Sequence, residues 1–250
     1  MTGFIAPALA LEGLPLLLIA VTAAGLVRGF AGFGTALVYV PLASLVMPPV
    51  WVLTTVMIFD VLGILPLAPR SVKDGRMSEV AVLMAGALVG LPAGVFLLTR
   101  FDTETFRTLI CGLALLMLVV LASGWRLRKA LGTSAKAGVG VVAGALGGVT
   151  GAPGPPVILF YLSGPERPAM IRANNMIFLL LFEFSFLLFM AAIGYLQAVP
   201  VAVGLVLTVP YAIAGWIGQA IFDPDRERLY RFVAYLVIAV SAIVGLPLLD

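Results

Sequence analysis

Arg28, Asp60 and Glu183 are the ionisable side chains that lie deep inside uncharged apolar runs, where a charge is costly enough to demand a reason. Arg28 follows Gly25 by three residues and directly precedes Gly29. One reading makes it the contact for a small anion; the other has it snorkel to a surface or pair with a carboxylate such as Asp60. Asp60 and Glu183 fall one in each half of the chain. A carboxyl group among apolar neighbours can accept a proton and carry it between two faces, which makes both candidates for proton coupling. The structural alternatives are a salt bridge from Asp60 to Arg28 and a protonated, hydrogen-bonded interhelical contact at Glu183.

Two glycine-rich stretches surround these groups. Gly25, Gly29 and Gly32 align with Gly144, Gly148 and Gly151 at one offset of 119 residues, and Gly34, Pro153, Gly154, Pro155 and Pro156 add further interruptions. Such runs break helices, and broken backbone at membrane depth survives only where protein or a watery space satisfies its peptide groups. New half-helices are expected to begin near Thr35 and near Pro155 and Pro156, presenting free N–H groups and a positive dipole end to an anion. The candidate substrate contacts are therefore Arg28, Gly29, Gly32, Phe33, Gly34 and Thr35 at the first break, and Thr150, Gly151, Pro153 and Gly154 at the second. Close helix packing by small residues is the competing explanation for the glycines. Asn174 and Asn175 lie 120 residues after Thr54 and Thr55, so each half places adjacent polar groups near the start of the helix after its break. These amides could bind a substrate oxygen or stitch helices together. Arg172 reads as a loop charge at the rim.

The elements that must carry these groups are membrane helices. Apolar residues make up 62% of the chain and charged residues only 11%, against about a quarter charged in soluble domains. Apolar segments fall near 14–31, 33–47, 51–69, 78–99, 105–123, 137–150, 155–163, 171–193, 199–221 and 229–248. The expected fold is an all-α polytopic membrane protein of two inverted repeats. Residues 1–125 would form the first repeat, with the broken segment 14–47 and helices near 51–69, 78–99 and 105–123. Residues 126–250 would form the second, with the broken segment 137–163 and helices near 171–193, 199–221 and 229–248. Each repeat is a re-entrant or broken glycine-rich pair followed by three transmembrane helices.

Lysine and arginine decide between a crossing pair and a hairpin. If every element crosses, the loops divide these residues evenly between the two sides. If each glycine-rich pair is a hairpin, Arg70, Lys73, Arg76, Arg126, Arg128, Lys129, Lys136, Arg167, Arg172, Arg226, Arg228 and Arg231 share one face, and only Arg100 and Arg107 lie opposite. The positive-inside rule selects the hairpin, with three crossings per half and both termini outside. An odd number of crossings makes the repeats inverted.

Composition also excludes chemistry. There is no His and only Cys111, so no Cys/His metal site or disulfide can be built, and no cofactor is expected. The first basic residue is Arg28, so the N-terminus lacks a signal peptide's basic region and the first apolar segment is expected to be retained. The net charge of +3 resides in loops as a topology signal and points to no nucleic acid. No phosphate-binding Gly-x-x-x-x-Gly-Lys loop is present, so ATP hydrolysis is not expected. Intramembrane proteolysis is disfavoured because a serine protease of that kind needs His and an aspartyl protease needs two buried aspartates, of which only Asp60 qualifies.

The glycine-rich start with Pro41, Thr54 and Thr55, the Gly90 and Gly94 pair, the second break at Gly151-Ala-Pro-Gly-Pro-Pro, Asn174 and the Phe101 to Arg107 and Phe222 to Arg231 ends together resemble the TauE/SafE family of sulfite and organosulfonate exporters. The resemblance spans nearly the whole chain. It implies export of a small sulfur-containing anion across the bacterial cytoplasmic membrane without ATP. The expected partners are that anion and the lipid bilayer, with a homodimer as one assembly open to the chain. On this reading the two breaks meet near the midplane and one repeat rocks against the other in alternating access. A passive anion channel or a membrane scaffold shares the composition and is the alternative.

Overall fold

The computed structural model describes residues 2–123, 132–161 and 167–247. Twelve α-helices succeed one another among them: α1 Thr2–Leu9, α2 Leu14–Ala31, α3 Thr35–Ala43, α4 Pro49–Ile64, α5 Ala68–Asp74, α6 Met77–Leu98, α7 Thr103–Ser123, α8 Thr133–Thr150, α9 Gly154–Tyr161, α10 Pro168–Ala192, α11 Ala198–Ala220 and α12 Glu227–Gly245. No strand occurs in the described residues. Helices α2, α6, α7, α10, α11 and α12 contain stretches long and apolar enough to cross a membrane, which makes the chain a multi-pass membrane protein. Arg126, Arg128 and Lys129, and with them the boundary between the two halves, lie outside the described residues.

Both expected breaks are present. Helix α2 ends at Gly32, which adopts φ 77°, and Gly34 adopts φ 100° before α3 begins. Helix α8 ends at Gly151 with φ 73°, and α9 starts at Gly154. In that left-handed region a side chain meets the following carbonyl, so glycine is the residue that ends these helices most cheaply. The last-turn bonds are conserved in form: the Gly32 N–H donates to Arg28 O and the Gly151 N–H to Gly147 O, each at 2.9 Å.

The first pair doubles back. Gly13, just before α2, packs against Val46, just after α3, and Gly34 packs against Val27. Helix α2 nonetheless spans 18 residues, about 27 Å at 1.5 Å per residue, so the break sits at the end of a full-length helix and not in its middle. The segment expected at 51–69 is likewise shorter than a single helix. Helix α4 stops at Ile64 and passes through a 3-10 turn, Leu65–Leu67, into α5, because Pro66 and Pro69 cannot donate to a continuing α ladder.

Contacts between the helices fix the direction of each element. At one end, Arg76, Glu79, Lys136 and Asn174 are linked, and Ser71 meets Met176; this is the basic end. At the opposite end, Trp51 donates to Gln197, and Arg107 reaches the end of α12 at Gly245. Helices α4, α7 and α11 therefore run toward the basic end, and α6, α10 and α12 run away from it. Helix α2 runs parallel to α11, with Gly25 against Ala214 and Gly29 against Gly218, whereas α8 runs parallel to α6. Helices α2 and α8, α4 and α10, α6 and α11, and α7 and α12 thus run in opposite directions.

The closest packing in the molecule crosses between the halves. Along α6 and α8 the glycines at 86, 90 and 94 face those at 140, 144 and 148, and a Cβ added at Gly94 would come 2.9 Å from the Gly148 Cα. A Cβ at Gly29 would come 2.8 Å from the Gly218 Cα in the α2 and α11 contact. Backbone-to-backbone approach of this kind depends on the missing side chains and gives dispersion contacts that lipid cannot supply. The glycines divide by position: Gly32, Gly34 and Gly151 stand at helix ends in the left-handed region, while Gly25, Gly29, Gly144 and Gly148 let helices pack closely.

Candidate functional site

Thr35 is the first residue of α3, and its hydroxyl lies 2.9 Å from the hydroxyl of Tyr211 on α11. Tyr211 in turn donates to Asp60 Oδ1 on α4. Glu183 on α10 lies close enough to Asp60 to interact with it electrostatically, as does Arg28 on α2 with both acids and with Tyr211. Five helices thereby converge on one cluster. Its members are buried, with Thr35 3%, Asp60 5%, Glu183 4% and Tyr211 4% exposed, while Arg28 is half-buried.

The chemistry of this cluster follows from its partners. Two buried acids this close raise the electrostatic cost of holding both as carboxylates in surroundings that screen poorly. Glu183 Oε2 has no hydrogen-bond partner among the described residues. Arg28 makes no ion pair within 4.0 Å among them either; its attraction to Asp60 acts at longer range, so the salt bridge offered by the sequence is not formed. Tyr211 is held from the side by the Phe59 ring, at 4.8 Å between centroids, and seated over Gly63, where a Cβ would come 2.6 Å from its ring.

The second break forms a separate group. The Thr150 hydroxyl donates to Leu146 O at 2.7 Å and accepts from the Ala152 N–H at 3.3 Å, closing the turn. Gly151 lies against Leu53 and Val56 of α4 and Val40 of α3. Asn175 Oδ1 is buried without a partner, 3.9 Å from where a Gly154 Cβ would stand, and so faces the start of α9. Thr150 to Gly154 are all buried, whereas Gly32 is exposed and Phe33 and Gly34 are half-buried. The first break reaches toward the basic end, where Phe30 meets Tyr230 at 5.6 Å, and the second reaches the opposite way, beside the ends of α6 and the start of α4. The tips are offset and do not abut; the middle of α4, from Leu53 to Asp60, runs between them.

Asn174 is not in either group. Its Oδ1 accepts from the Arg76 N–H at 2.6 Å and its Nδ2 donates to the Tyr161 hydroxyl at 3.0 Å and to Glu79 Oε2 at 3.5 Å. Glu79 also pairs with Lys136 at 2.9 Å. The amide joins α10 to α6 and α9.

Three tyrosines escaped the sequence reading. Tyr39 on α3 bonds the Thr55 hydroxyl at 2.9 Å, and Tyr161 on α9 bonds Asn174, so each short helix is tied by a tyrosine to the helix that follows. Their offset of 122 residues is close to the 120 that separates Thr54 from Asn174, and repeat arithmetic extended to aromatics would have found them. Tyr211 has no such signal, because at the 121-residue offset that relates Phe101 to Phe222 the matching place is Gly90.

A family model described as "Sulfite exporter TauE/SafE" matches residues 17–244. Nothing among the curated proteins or the solved structures matches the chain.

Proposed function

The chain belongs to the sulfite exporter TauE/SafE family, and from that premise we propose that it is a secondary transporter exporting a small sulfur-containing anion, sulfite, a sulfonate or a relative, by proton-coupled alternating access. The observation that carries the reading is the cluster at the first break. Arg28 supplies positive charge with no ion pair among the described residues, the start of α3 supplies free N–H groups, and two buried acids, Asp60 and Glu183, lie beside them. Gly29, Gly32, Phe33, Gly34 and Thr35 line the approach. Thr150, Gly151, Pro153, Gly154 and Asn175 form the second face of the path, with Asp60 and Glu183 between the two as the proton carriers.

The opposite directions of corresponding elements support an inverted repeat of residues 1–125 and 126–250, and alternating access by movement of one half against the other. Exposure at the first break and burial at the second support a conformation open toward the first alone. In the sequence, twelve basic residues fall in the segments that the hairpin topology assigns to one face against two opposite, which supports that face as cytoplasmic, outward termini and residence in the bacterial inner membrane. Membership in an exporter family favours transport over catalysis, and a channel is separated from it by energetics, since a channel only dissipates a gradient.

The test is calorimetric or thermal-shift binding of sulfite, sulfate, thiosulfate, taurine, isethionate and simple carboxylates, followed by flux in proteoliposomes. A charge-assisted contact is worth about 1.5–3 kcal/mol, so Arg28→Ala should weaken anion binding roughly 10- to 150-fold. Unchanged affinity and rate in Arg28→Ala would remove the anion contact from this site.

A further inference from the structure

The hydroxyl of Tyr211 sits between two others, and the bonds of such a chain have a direction. With Asp60 Oδ1 unprotonated, Tyr211 donates to it and its own oxygen accepts from Thr35, so the Thr35 proton is spent inside the cluster. With Asp60 Oδ1 protonated, that acid donates to Tyr211, Tyr211 donates to Thr35, and the Thr35 proton is released to the start of α3. We propose that Tyr211 is a positioning residue that makes anion binding and proton uptake mutually dependent, by reversing the hydrogen-bond chain from Asp60 to Thr35. This deepens the transport reading above and rests on it.

Charge balance gives the same sign by an independent route. Glu183 faces Asp60 from α10, Arg28 from α2 and Tyr211 from α11; α3 contributes Thr35 and Tyr39, whose hydroxyl is engaged by Thr55. Helix α11 carries no other titratable side chain. A carboxyl pair holding one proton has one negative charge, which balances Arg28. Bringing in an anion leaves the cluster one charge negative, and a second proton on the pair restores neutrality in surroundings that screen poorly. The anion thus favours the proton, and the proton frees the Thr35 donor for the anion. By linkage each raises the affinity of the other equally. The two then cross together, so movement of a monovalent sulfonate is electroneutral and its direction follows the summed gradients of anion and proton.

The experiment measures proton uptake on anion binding by titration calorimetry of the purified chain in two buffers of different ionisation heat, across the neutral range. Isethionate and thiosulfate are the probes, because their charge is constant there whereas that of sulfite is not. The wild type should take up close to one proton per anion, and its Kd should rise by up to about tenfold per pH unit on the alkaline side. Tyr211→Phe keeps the ring against Phe59 and Gly63 and should still bind, but with uptake and pH slope both reduced below wild type to the part that charge balance alone supplies. Thr35→Val, which also removes the donor to the anion, should bind more weakly and show the same fall in uptake, and Thr35→Ser, which keeps the hydroxyl, should restore both even if Tyr211→Phe folds poorly. Undiminished uptake in both Tyr211→Phe and Thr35→Val, or proton release by the wild type, overturns the coupling. Wild-type binding with no proton exchange overturns the coupling and leaves the transporter standing, whereas no wild-type binding of either probe overturns the transport reading with it.

Discussion

Alanine at Gly32 and alanine at Gly151 impose the same backbone penalty in different surroundings, which separates conformational strain from packing. Both residues end a helix in the left-handed region, with φ 77° and 73°. A non-glycine residue there costs about 1–2 kcal/mol. At Gly32 an added Cβ meets nothing within 4 Å, so Gly32→Ala should cost that amount alone. At Gly151 the Cβ would come 2.7 Å from Leu53 Cδ2, 3.6 Å from Val56 Cγ1 and 3.7 Å from Val40 Cγ2. Overpacking of a filled interior adds about 1–3 kcal/mol, and the lower part of that range applies because the Leu53 methyl can move. Gly151→Ala should therefore be destabilised by roughly 2–4 kcal/mol in all. Thermal unfolding in mild detergent, followed by circular dichroism, reads each kcal/mol as roughly 2–4 °C in a chain of this size. Combining Gly151→Ala with Leu53→Ala removes the clash, so the double variant should lose less than the sum of the two single losses, by about 0.5–3 kcal/mol of coupling. Equal losses for Gly32→Ala and Gly151→Ala, or strict additivity with Leu53→Ala, would refute the argument that Gly151 is pressed onto α4.

Two further predictions concern the end opposite the basic loops. Arg107 is 8% exposed and donates from Nε to Gly245 O at 3.0 Å and from Nη2 to Leu246 O at 3.4 Å, satisfying carbonyls at the end of α12. Arg107→Met keeps the apolar stem but orphans those acceptors, so unfolding should show a loss of about 1–3 kcal/mol; no loss would mean that water reaches them. Asp102 precedes α7, and hydrogen bonds from the Thr105 side chain and its backbone N–H hold the exposed carboxyl below its usual range. The folded state then binds its proton less readily than the unfolded chain, so the stabilisation is present above the unfolded carboxylate range and is lost as pH falls through the lowered folded value. The melting difference between wild type and Asp102→Ala should accordingly be largest near neutrality and vanish in acid; a difference constant with pH would show that the charge is not involved.

Much of the scaffold is legible from residue types alone. The breaks appear at the glycines that lack a Cβ, and the 3-10 turn after Ile64 coincides with Pro66 and Pro69, which lack an N–H. These are local properties, and no other part of the chain can reverse them. Element ends are less secure: the expected segment at 33–47 contains a helix only over Thr35–Ala43, and the one at 155–163 begins a residue early at Gly154. Terminal turns are decided by caps and neighbours as much as by composition.

The site divides along the same line. That Arg28, Asp60 and Glu183 matter follows from the cost of charge among apolar residues, which sequence alone determines. Which groups meet does not follow, because it depends on how each helix is rotated about its axis. Asn174 and Asn175 are neighbours in the chain yet lie about 100° apart around α10, so one is consumed by Arg76, Tyr161 and Glu79 while the other faces the second break. Tyr211 reaches Asp60 across 151 residues because α11 is brought against α2 by bare glycine surfaces and against α4 at Gly63. The sequence by itself determined the membrane class, the two helix breaks and the buried ionisable groups, since each depends on one residue's own chemistry. Only the tertiary structure decided that Thr35, Tyr211 and Asp60 form one chain of bonds with Glu183 and Arg28 beside it, because contacts between distant helices depend on packing distances that no single segment encodes.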